Sequence, residues 1–429
     1  MLKRKLISLT NTILLFVSFL LVIFYFSISV GNSNFNEEYS KEKQFENGLE
    51  TSLKELINCT NKNYDQELYQ SGSFWILKNF VRAEHGSINC YESVTYTTQS
   101  DVKYIDHLIP IVKRWAAPIS IALFAPNVSN YFSSTIDSIK YMRNCVPEKD
   151  LLRKYVTFHL YFELSDRPVK MPIIDENNEW ESDVDCEKSA PYLIFRLKNY
   201  SHNRQYFINV GRNVANKAAL TYYRMSSDIE LYPSKGLVHD FFKYIEANPY
   251  LVQDRKRRVF IIPTFEVDKS TEVPLDTTQL YDLLINKKAI YFFQSLCAHC
   301  FPIPNKPDYT NKMGTNPDFS TFTIIKRLGK YKAMEHFYIG SENDPIYAEE
   351  ITWNIKGNKM VHEYVMCLLE YDYHFMQGAF LSHAPGFHTT TQIPVKLRQI
   401  AKSIFVNKLK PLFDAHYGYK KGCSMTLTY

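Results

Sequence analysis

Short apolar runs alternate with stretches of helical periodicity along this chain, and that order constrains the fold more than any other feature of the sequence. The run Ile119–Ala125 is almost wholly apolar, as in strands that are buried on both faces of a parallel sheet. Helical spacing over 102–115 precedes it, and helical spacing over 133–144 follows it. Further elements of both kinds are predicted: strands over 93–98, 156–162 and 259–265, and a helix over 210–219. This β–α–β–α order predicts an α/β fold with a mainly parallel sheet and helices on both faces.

Two acidic residues, Asp228 and Glu230, follow the last predicted helix and precede Pro233 and Gly236, which end the segment. In an extended backbone, residues two apart point to the same side, so both carboxylates face one spot. Ligands of α/β sheets bind at the carboxyl ends of strands. Mg²⁺ and Mn²⁺ take oxygen ligands and commonly bridge carboxylates to substrate phosphates. The pair predicts a divalent-cation site, and a solvated acidic strand end is the alternative.

The N-terminus has the pattern of a membrane anchor. Lys3, Arg4 and Lys5 precede an uncharged, mostly apolar stretch over 6–30. A spanning helix needs about 20 apolar residues, and this stretch is longer than the apolar core of a cleaved signal peptide, the alternative. Because positive flanks stay in the cytosol, residues 1–5 are predicted to be a cytosolic tail and the rest of the chain to be lumenal.

The remaining chain divides by composition. Residues 31–72 are polar and rich in Asn, Glu and Lys, which predicts a membrane-proximal stem, and 73–429 then form one lumenal domain. The formal net charge of +5 is too small to indicate nucleic-acid binding. The basic run Arg255–Arg258 is interpreted as a solvated loop, with attraction of an anionic substrate as the alternative.

The cysteines and sequons agree with a lumenal domain. Eight cysteines are present, and some of them should pair in an oxidising compartment, although the sequence does not give the connectivity. Cys297 and Cys300 could suggest zinc or a redox motif, but they lack a second metal-ligand pair at zinc spacing, so structural disulfides, either between these two or with other cysteines, are predicted. Asn58, Asn127 and Asn199 each begin an Asn-x-Ser/Thr sequon and are predicted glycosylation sites.

Between Phe74 and Tyr417 the sequence resembles the β-1,4-glucuronyltransferases of glycosyltransferase family 49, in the order and spacing of several segments. This family also contains the second catalytic domain of the LARGE xylosyl-glucuronyl transferases. The segments are 75–86, 92–98, 114–123, 211–215, 227–237, 262–266, 296–300, 337–340, 357–359 and 380–384. The resemblance implies a Rossmann-like GT-A fold, UDP-glucuronic acid as donor, and Mn²⁺ or another divalent cation. The family's Asp-x-Asp corresponds to Asp228-Ile-Glu230, where the Glu supplies the same oxygens.

The same resemblance suggests further site residues. GT-A enzymes often supply a late histidine to the cation, which here is His383 rather than a structural histidine at a strand end. Thr97 and Thr98 are expected to end the first strand of the catalytic domain and to contact uridine, or to be a simple strand end. Arg212 and Asn213 open the predicted helix. Arg212 would bind the donor's phosphate or carboxylate, or form an ion pair that holds the helix to the sheet.

The catalytic base is expected after Pro345. The family inverts the sugar linkage, so a carboxylate must take the proton of the acceptor hydroxyl. The family segment usually reads Asp-Glu-Arg, and here it reads Ala348-Glu349-Glu350. Glu349 is therefore the candidate base, and a helix-cap or surface role is the alternative.

Together these observations predict a single-pass type II membrane glycosyltransferase of the Golgi that adds glucuronic acid to a terminal xylose-like sugar of an O-glycan on a glycoprotein. Two alternatives stay open at this stage. One is the same fold with another donor, such as UDP-N-acetylglucosamine. The other is a catalytically silent glycan-binding protein or a partner of other Golgi glycosyltransferases, which the altered segment at Ala348 motivates.

Overall fold

The computed structural model describes residues 53–127, 131–168, 184–197, 205–315, 317–352, 357–388 and 395–425. Its contacts divide the chain into Met1–Glu55 and Leu56–Tyr429, and every element below lies in the second unit. The predicted anchor over 6–30 and the sequon at Asn199 lie outside the described residues. Within the described ranges, the helices are all too short or too polar to cross a membrane.

Strands occur along the whole described chain. They are β1 (Glu67–Ser71), β2 (Phe74–Val81), β3 (Val94–Asp101), β4 (Ile119–Phe124), β5 (Val156–Glu163), β6 (Tyr223–Ser226), β7 (Leu231–Pro233), β8 (Arg258–Ile261), β9 (Thr264–Val267), β10 (Ala289–Tyr291), β11 (Ser320–Ile325), β12 (Tyr338–Ser341), β13 (Asp372–Gln377) and β14 (Leu381–His383).

Helices separate most of these strands. They are α1 (Leu108–Trp115), α2 (Tyr131–Asn144), α3 (Lys149–Tyr155), α4 (Pro191–Leu197), α5 (Ile208–Ala218), α6 (Leu237–Ala247), α7 (Tyr250–Gln253), α8 (Thr277–Ile285), α9 (Lys306–Thr315), α10 (Asn358–Leu368), α11 (Val395–Ile404) and α12 (Lys410–Tyr417). Short 3₁₀ turns cover Val102–His107, Leu164–Asp166 and Gly329–Tyr331, and a π-turn over Phe405–Leu409 joins α11 to α12.

The strands form a ten-stranded sheet in the order β1-β2-β5-β4-β3-β6-β12-β8-β13-β11 and a four-stranded sheet in the order β10-β9-β14-β7. In the large sheet, β3–β4, β4–β5, β3–β6 and β8–β13 are parallel, and the other neighbours are antiparallel. The α/β class is confirmed, but the sheet is mixed and not mainly parallel. Apolar runs report that a strand is buried, and they do not report its direction.

The centre of the large sheet follows the apolar pattern closely. Every residue of β4 is buried, as its continuous apolar run predicts, and β3 and β5 flank it in parallel. Helix α5 packs on this region: Val210, Val214 and Ala215 join Phe124 of β4 in one apolar cluster. This packing fixes α5 on the centre of the sheet, over β2, β4 and β5.

Two boundaries differ from the sequence prediction. Strand β1 (Glu67–Ser71) pairs with β2 inside the large sheet, so the predicted stem over 31–72 ends too late. The polar composition of β1 reflects its place as an edge strand with exposed residues. The strand predicted over 259–265 is two strands, β8 and β9, which belong to different sheets. Pro263 lies between them, and it cannot donate a ladder hydrogen bond.

All eight cysteines are paired. The disulfides are Cys59–Cys90, Cys145–Cys186, Cys297–Cys300 and Cys367–Cys423. A disulfide at Cys297 and Cys300 is therefore confirmed, and of the two predicted forms it is the bond between these two residues. The sequon residues Asn58 and Asn127 are both exposed, as an attached glycan requires.

Candidate active site

Asp228 and Glu230 lie in the turn that connects β6 in the large sheet to β7 in the small one. The turn follows the carboxyl end of β6, which runs parallel to β3. The Tyr96 hydroxyl of β3 donates to the backbone oxygens of Asp228 at 3.1 Å and Leu231 at 2.8 Å. This buried hydroxyl holds the turn in place, so both acidic residues stand at the edge of the sheet that the sequence predicts for a ligand.

The Asp228 carboxylate is surrounded by donors. Arg212 Nη2 lies 2.7 Å from Oδ1, Gln99 Nε2 donates to the same oxygen at 3.2 Å, and Lys359 Nζ lies 3.6 Å from Oδ2. Burial alone would raise the pKa of Asp228, but Arg212 and then Lys359 outweigh it and hold that pKa below its usual value. Asp228 is therefore an anion at neutral pH.

A close approach of α5 to β3 brings these donors together. Gly211 packs so near to β3 that a Cβ atom at this position would lie 2.7 Å from Gln99 Cβ. Any larger residue would push the helix away from the strand and move Arg212 away from Asp228. The glycine of the matched segment 211–215 therefore has a packing role that serves the site.

Glu230 differs from Asp228 because none of the cations that the structure describes forms an ion pair with it. Burial, followed by the charge of Asp228, raises the pKa of Glu230 to about 7. Its backbone oxygen accepts a hydrogen bond from Ala384 N at 2.8 Å, which ties it to the segment after β14. A second positive charge at this point would stabilise both carboxylates in their ionised forms.

His383 lies beside the acidic turn, as the resemblance predicts. It ends β14, which pairs with β7 so that His383 stands opposite Leu231. Its Nδ1 lies 2.8 Å from the Ala384 oxygen, which leaves Nε2 as the available ligand atom. Burial and the neighbouring His388 lower the pKa of His383 to about 4, so the imidazole is neutral at physiological pH.

A buried carboxylate, Glu266 of β9, secures the segment that carries His383. It is 1% exposed and accepts hydrogen bonds from the backbone nitrogens of Phe293 at 2.8 Å and His388 at 2.9 Å. His388 Nδ1 also lies 3.0 Å from Glu266 Oε1. The rings of His383 and His388 are in contact, with centroids 4.3 Å apart. We call Glu266 and His388 the loop clamp, since they connect β9 to residues 383–388.

The possible metal ligands at this edge of the sheet suit a hard or borderline divalent cation. Asp228 and Glu230 offer carboxylate oxygens and His383 offers a neutral imidazole, a combination compatible with Mn²⁺. Their ligand atoms are not all within 4.8 Å of one another, so closing on a cation requires a side-chain rotation. In the described part of the chain, only Cys297, His299 and Cys300 form such a compact group, and both of those thiols are consumed in a disulfide.

Arg212 and Asn213 have internal partners. They lie in the second turn of α5, which begins at Ile208, and do not open the helix as predicted. Arg212 forms the ion pair that was the alternative to donor binding, and its Nη1 also donates to Asn358 Oδ1 at 2.7 Å. Asn213 donates to the Tyr347 oxygen at 2.9 Å and accepts from Tyr347 N at 2.9 Å. Both side chains therefore hold the residues of the site in position.

Glu349 is held by the same helix. Asn213 Nδ2 donates to Glu349 Oε1 at 2.8 Å, and Asn209 Nδ2 donates to the Ala348 oxygen at 2.7 Å. Glu350 instead pairs with Lys408 Nζ at 3.2 Å on the exposed side. Two neighbouring residues of α5 therefore have different partners: Arg212 contacts the acidic turn, and Asn213 contacts the candidate base.

Thr97 and Thr98 do not end a strand, and this prediction is wrong. They lie in the middle of β3, which continues to Asp101, and each is 1% exposed. Thr97 Oγ1 donates to Asn216 Oδ1 at 2.5 Å. Gln99 and Ser100, which follow them, are also buried strand residues. From this strand it is Gln99 that reaches Asp228.

Three residues of the site were not assigned from the sequence. Lys359 and Glu266 lie in the matched segments 357–359 and 262–266, so the resemblance contained a signal that was not given a role. Gln99 had no such signal, because an isolated glutamine after two threonines carries no chemical pattern.

The chain is similar to known glycosyltransferases. The sequence profile of the family described as "Glycosyl-transferase for dystroglycan" matches residues 93–418. β-1,4-Glucuronyltransferase 1 of Danio rerio is 24% identical over 330 residues, which cover 73% of this chain and 72% of that protein. The Mus musculus protein of the same name is 22% identical over 327 residues, covering 74% and 75%.

The crystal structure of S. aureus TarS covers 76% of this chain and 41% of that chain, with 10% identity and a TM-score of 0.34, which is too low to support an argument. The family profile, in contrast, spans most of the chain and includes both the acidic turn and His383. The chain therefore belongs to the family "Glycosyl-transferase for dystroglycan" and is a glycosyltransferase.

Proposed function

We propose that this glycosyltransferase has a GT-A fold and transfers glucuronic acid from UDP-glucuronic acid, with inversion, to a terminal xylose-like sugar of a protein O-glycan. The observation that carries the proposal is the acidic turn: Asp228 and Glu230 stand at the carboxyl edge of the sheet with the neutral His383 alongside. The names of the curated relatives support the choice of glucuronic acid.

The residues at this edge have distinct roles in the proposed reaction. Asp228, Glu230 and His383 would hold Mn²⁺ or a similar cation, which as a Lewis acid neutralises the diphosphate of the leaving nucleotide. Lys359 and Arg212 place two largely buried cations around the Asp228 carboxylate. Their charge favours an anionic donor at this edge over a neutral one.

Glu349 is the proposed general base. Inversion in one step requires a carboxylate to accept the proton of the acceptor hydroxyl as the new bond forms. Asn213 donates to Oε1 and thereby fixes the carboxylate, while Oε2 keeps its lone pairs for the acceptor. The neighbouring Ala348 cannot take this role, although the family usually has an aspartate there.

The Golgi lumen is the proposed location, with the chain anchored as a single-pass type II protein. The positive tail and apolar stretch of the first 30 residues support this topology. The four disulfides support an oxidising compartment, and the exposed sequons Asn58 and Asn127 support access to glycosylation.

A second candidate function is a catalytically silent protein that binds the sugar nucleotide. It is favoured by Ala348 and Glu350, which replace the Asp and Arg that the family usually has on either side of Glu349. Such a protein would keep the cation and nucleotide site while its base segment no longer supports transfer.

The test is a donor panel on the purified full-length protein, with Mn²⁺ or EDTA and a β-xyloside acceptor. The expected result is transfer from UDP-glucuronic acid that EDTA abolishes. Transfer from another UDP-sugar only would overturn the donor assignment, and UDP binding without transfer or hydrolysis of any donor would support the silent protein.

A further inference from the structure

The start of β8, the turn before β13 and the C-terminal tail meet at one end of the large sheet. Asp372 N donates to the Arg257 oxygen at 2.9 Å, which joins the basic run at 255–258 to the turn over 369–372. Lys326 Nζ lies 2.6 Å from Asp372 Oδ1, and Lys420 forms an ion pair with Glu370. Segments that are far apart in the sequence are therefore fixed side by side.

This end of the sheet carries a surplus of positive charge. The acidic residues of these segments each have a cationic partner: Asp254 with Arg258, Glu370 with Lys420, and Asp372 with Lys326. Asp344, which follows β12, accepts a hydrogen bond from the Tyr371 hydroxyl at 3.1 Å. Six further cations of these segments are exposed and have no ion pair with any described residue. They are Arg255, Lys256, Arg257, Lys330, Lys332 and Lys421. We call this set the basic surface.

The basic surface lies at the opposite end of the sheet from the acidic turn. Strands β6 and β8 are both antiparallel to β12, so they run in the same direction. Asp228 follows the end of β6, whereas the basic surface surrounds the start of β8 and of its parallel neighbour β13. A molecule bound there would not occupy the donor site.

We propose that the basic surface binds an anionic glycan chain, one that carries carboxylate or sulfate groups. Clustered exposed cations attract a polyanion over a Debye length and bind it by charge. Tyr250 and Tyr419 flank the cluster and are 54% and 69% exposed, so their rings are available to pack on sugar faces. The choice of a glycan among polyanions rests on the proposed function.

A lipid surface fits these segments less well. Membrane association of a basic surface is strengthened by apolar side chains that enter the interface. Within residues 254–258, 326–332 and 420–424, Leu328 is the one exposed large apolar residue, at 37%. The surface is therefore polar and cationic, with aromatic rings at its margin, and lacks a cluster of apolar anchors.

The experiment measures binding of the full-length protein to heparin, to neutral dextran and to phosphatidylserine vesicles over a series of salt concentrations. The expected result is salt-sensitive binding to heparin, with no binding to dextran. The test variant reverses charges on the basic surface, and the control variant makes the same change in net charge at exposed lysines elsewhere. The test variant combines Arg255→Glu, Lys256→Glu and Lys330→Glu. The control variant combines Lys269→Glu, Lys287→Glu and Lys288→Glu.

The test variant should bind heparin at least about tenfold more weakly, while the control variant should change less than about twofold. Equal losses in both variants would mean that only net charge matters and would overturn the proposal, as would tighter binding to vesicles than to heparin. Sugar transfer to a small neutral acceptor should persist in both variants. Loss of transfer in the wild-type protein would instead count against the proposed function, so the two failures are distinguishable.

Discussion

The acidic turn and the C-terminal core each contain a carboxylate near a buried arginine, yet the pKa values of the two carboxylates are shifted in opposite directions. At the turn, Asp228 has Arg212 at 2.7 Å and Lys359 at 3.6 Å, and its pKa is held below the usual value. In the core, burial raises the pKa of Glu363 to about 7, although Arg327 is close enough to oppose the shift.

The difference comes from what the arginines bind. Arg327 donates from Nε to the Met334 oxygen at 3.2 Å and from Nη1 to the Ser424 oxygen at 3.0 Å, so it fixes backbone and not a carboxylate. Glu363 accepts a hydrogen bond from the Tyr373 hydroxyl at 2.5 Å. Asp228, in contact with two cations, is thus kept charged, whereas burial raises the pKa of Glu363 against the opposing effects of Arg327 and the Tyr373 hydroxyl.

The largest effect is expected for Asp228→Asn. The substitution leaves Arg212 and Lys359 buried without their counter-charge, and breaking a buried ion pair costs about 3–5 kcal/mol of unfolding free energy. Transfer should fall below detection as well, because the proposed cation site loses a ligand. Urea unfolding and a transfer assay measure both, and a stable, fully active Asp228→Asn protein would break the comparison.

Next comes Glu349→Gln, which sharpens the catalytic side of the comparison. Loss of a general base lowers the rate of transfer by about 10²–10⁴-fold. The amide can still accept from Asn213, so the fold should be kept. Glu350→Gln is the matched control, since Glu350 pairs with Lys408 on the surface and should change the rate less than about twofold. Equal rates for the two variants would remove Glu349 from the mechanism.

Glu363→Gln tests the C-terminal core in this comparison, and its expected effect is on stability and not on catalysis. A carboxyl with a folded pKa near 7 binds its proton more tightly in the folded protein than in the unfolded chain. Its contribution to the free energy of unfolding is therefore complete below the pKa that Glu363 has in the unfolded chain. This contribution is lost, by on the order of 3 kcal/mol, as the pH rises toward 7. Glu363→Gln should flatten this part of the profile of unfolding free energy against pH while transfer continues. An unchanged slope would contradict the assignment.

The smallest effect is expected for the loop clamp. Residues behind a metal ligand orient it, and their loss typically weakens metal binding by about 10–100-fold. In Glu266→Gln, Mn²⁺ affinity measured by electron paramagnetic resonance should fall within that range because the segment of His383 is less well fixed. Glu272→Gln, at an exposed glutamate, is the control. Unchanged Mn²⁺ affinity would show that the clamp does not position His383.

The sequence predicted the parts of this molecule that depend on local patterns. Burial of β4 followed from its apolar run, and the place of Asp228 and Glu230 at a strand end followed from the turn residues after them. The two residues lie in a turn, and not in the extended backbone that the spacing argument assumed. Strand direction could not be predicted, because β12 enters between β6 and β8 through contacts distant in the sequence. A resemblance to a family placed His383 beside the turn, which spacing alone did not.

Contacts across the fold account for the residues that were misassigned or missed. The strand was predicted to end at Thr98, yet Gln99 and Ser100 are also buried in the sheet. The partners of Arg212 could not be read from its position in a helix. Its ion pair with Asp228 depends on how closely α5 approaches β3, which is a property of packing.

The pattern of disulfides has a consequence for biogenesis. Eight cysteines permit 105 pairings, but here each cysteine joins its immediate neighbour in the order of cysteines along the chain, and no bond encloses or crosses another. A polypeptide whose lumenal part enters an oxidising compartment in N-to-C order can seal every bond before the next cysteine emerges. Oxidative maturation of this protein should therefore need little isomerase activity to correct mispaired intermediates.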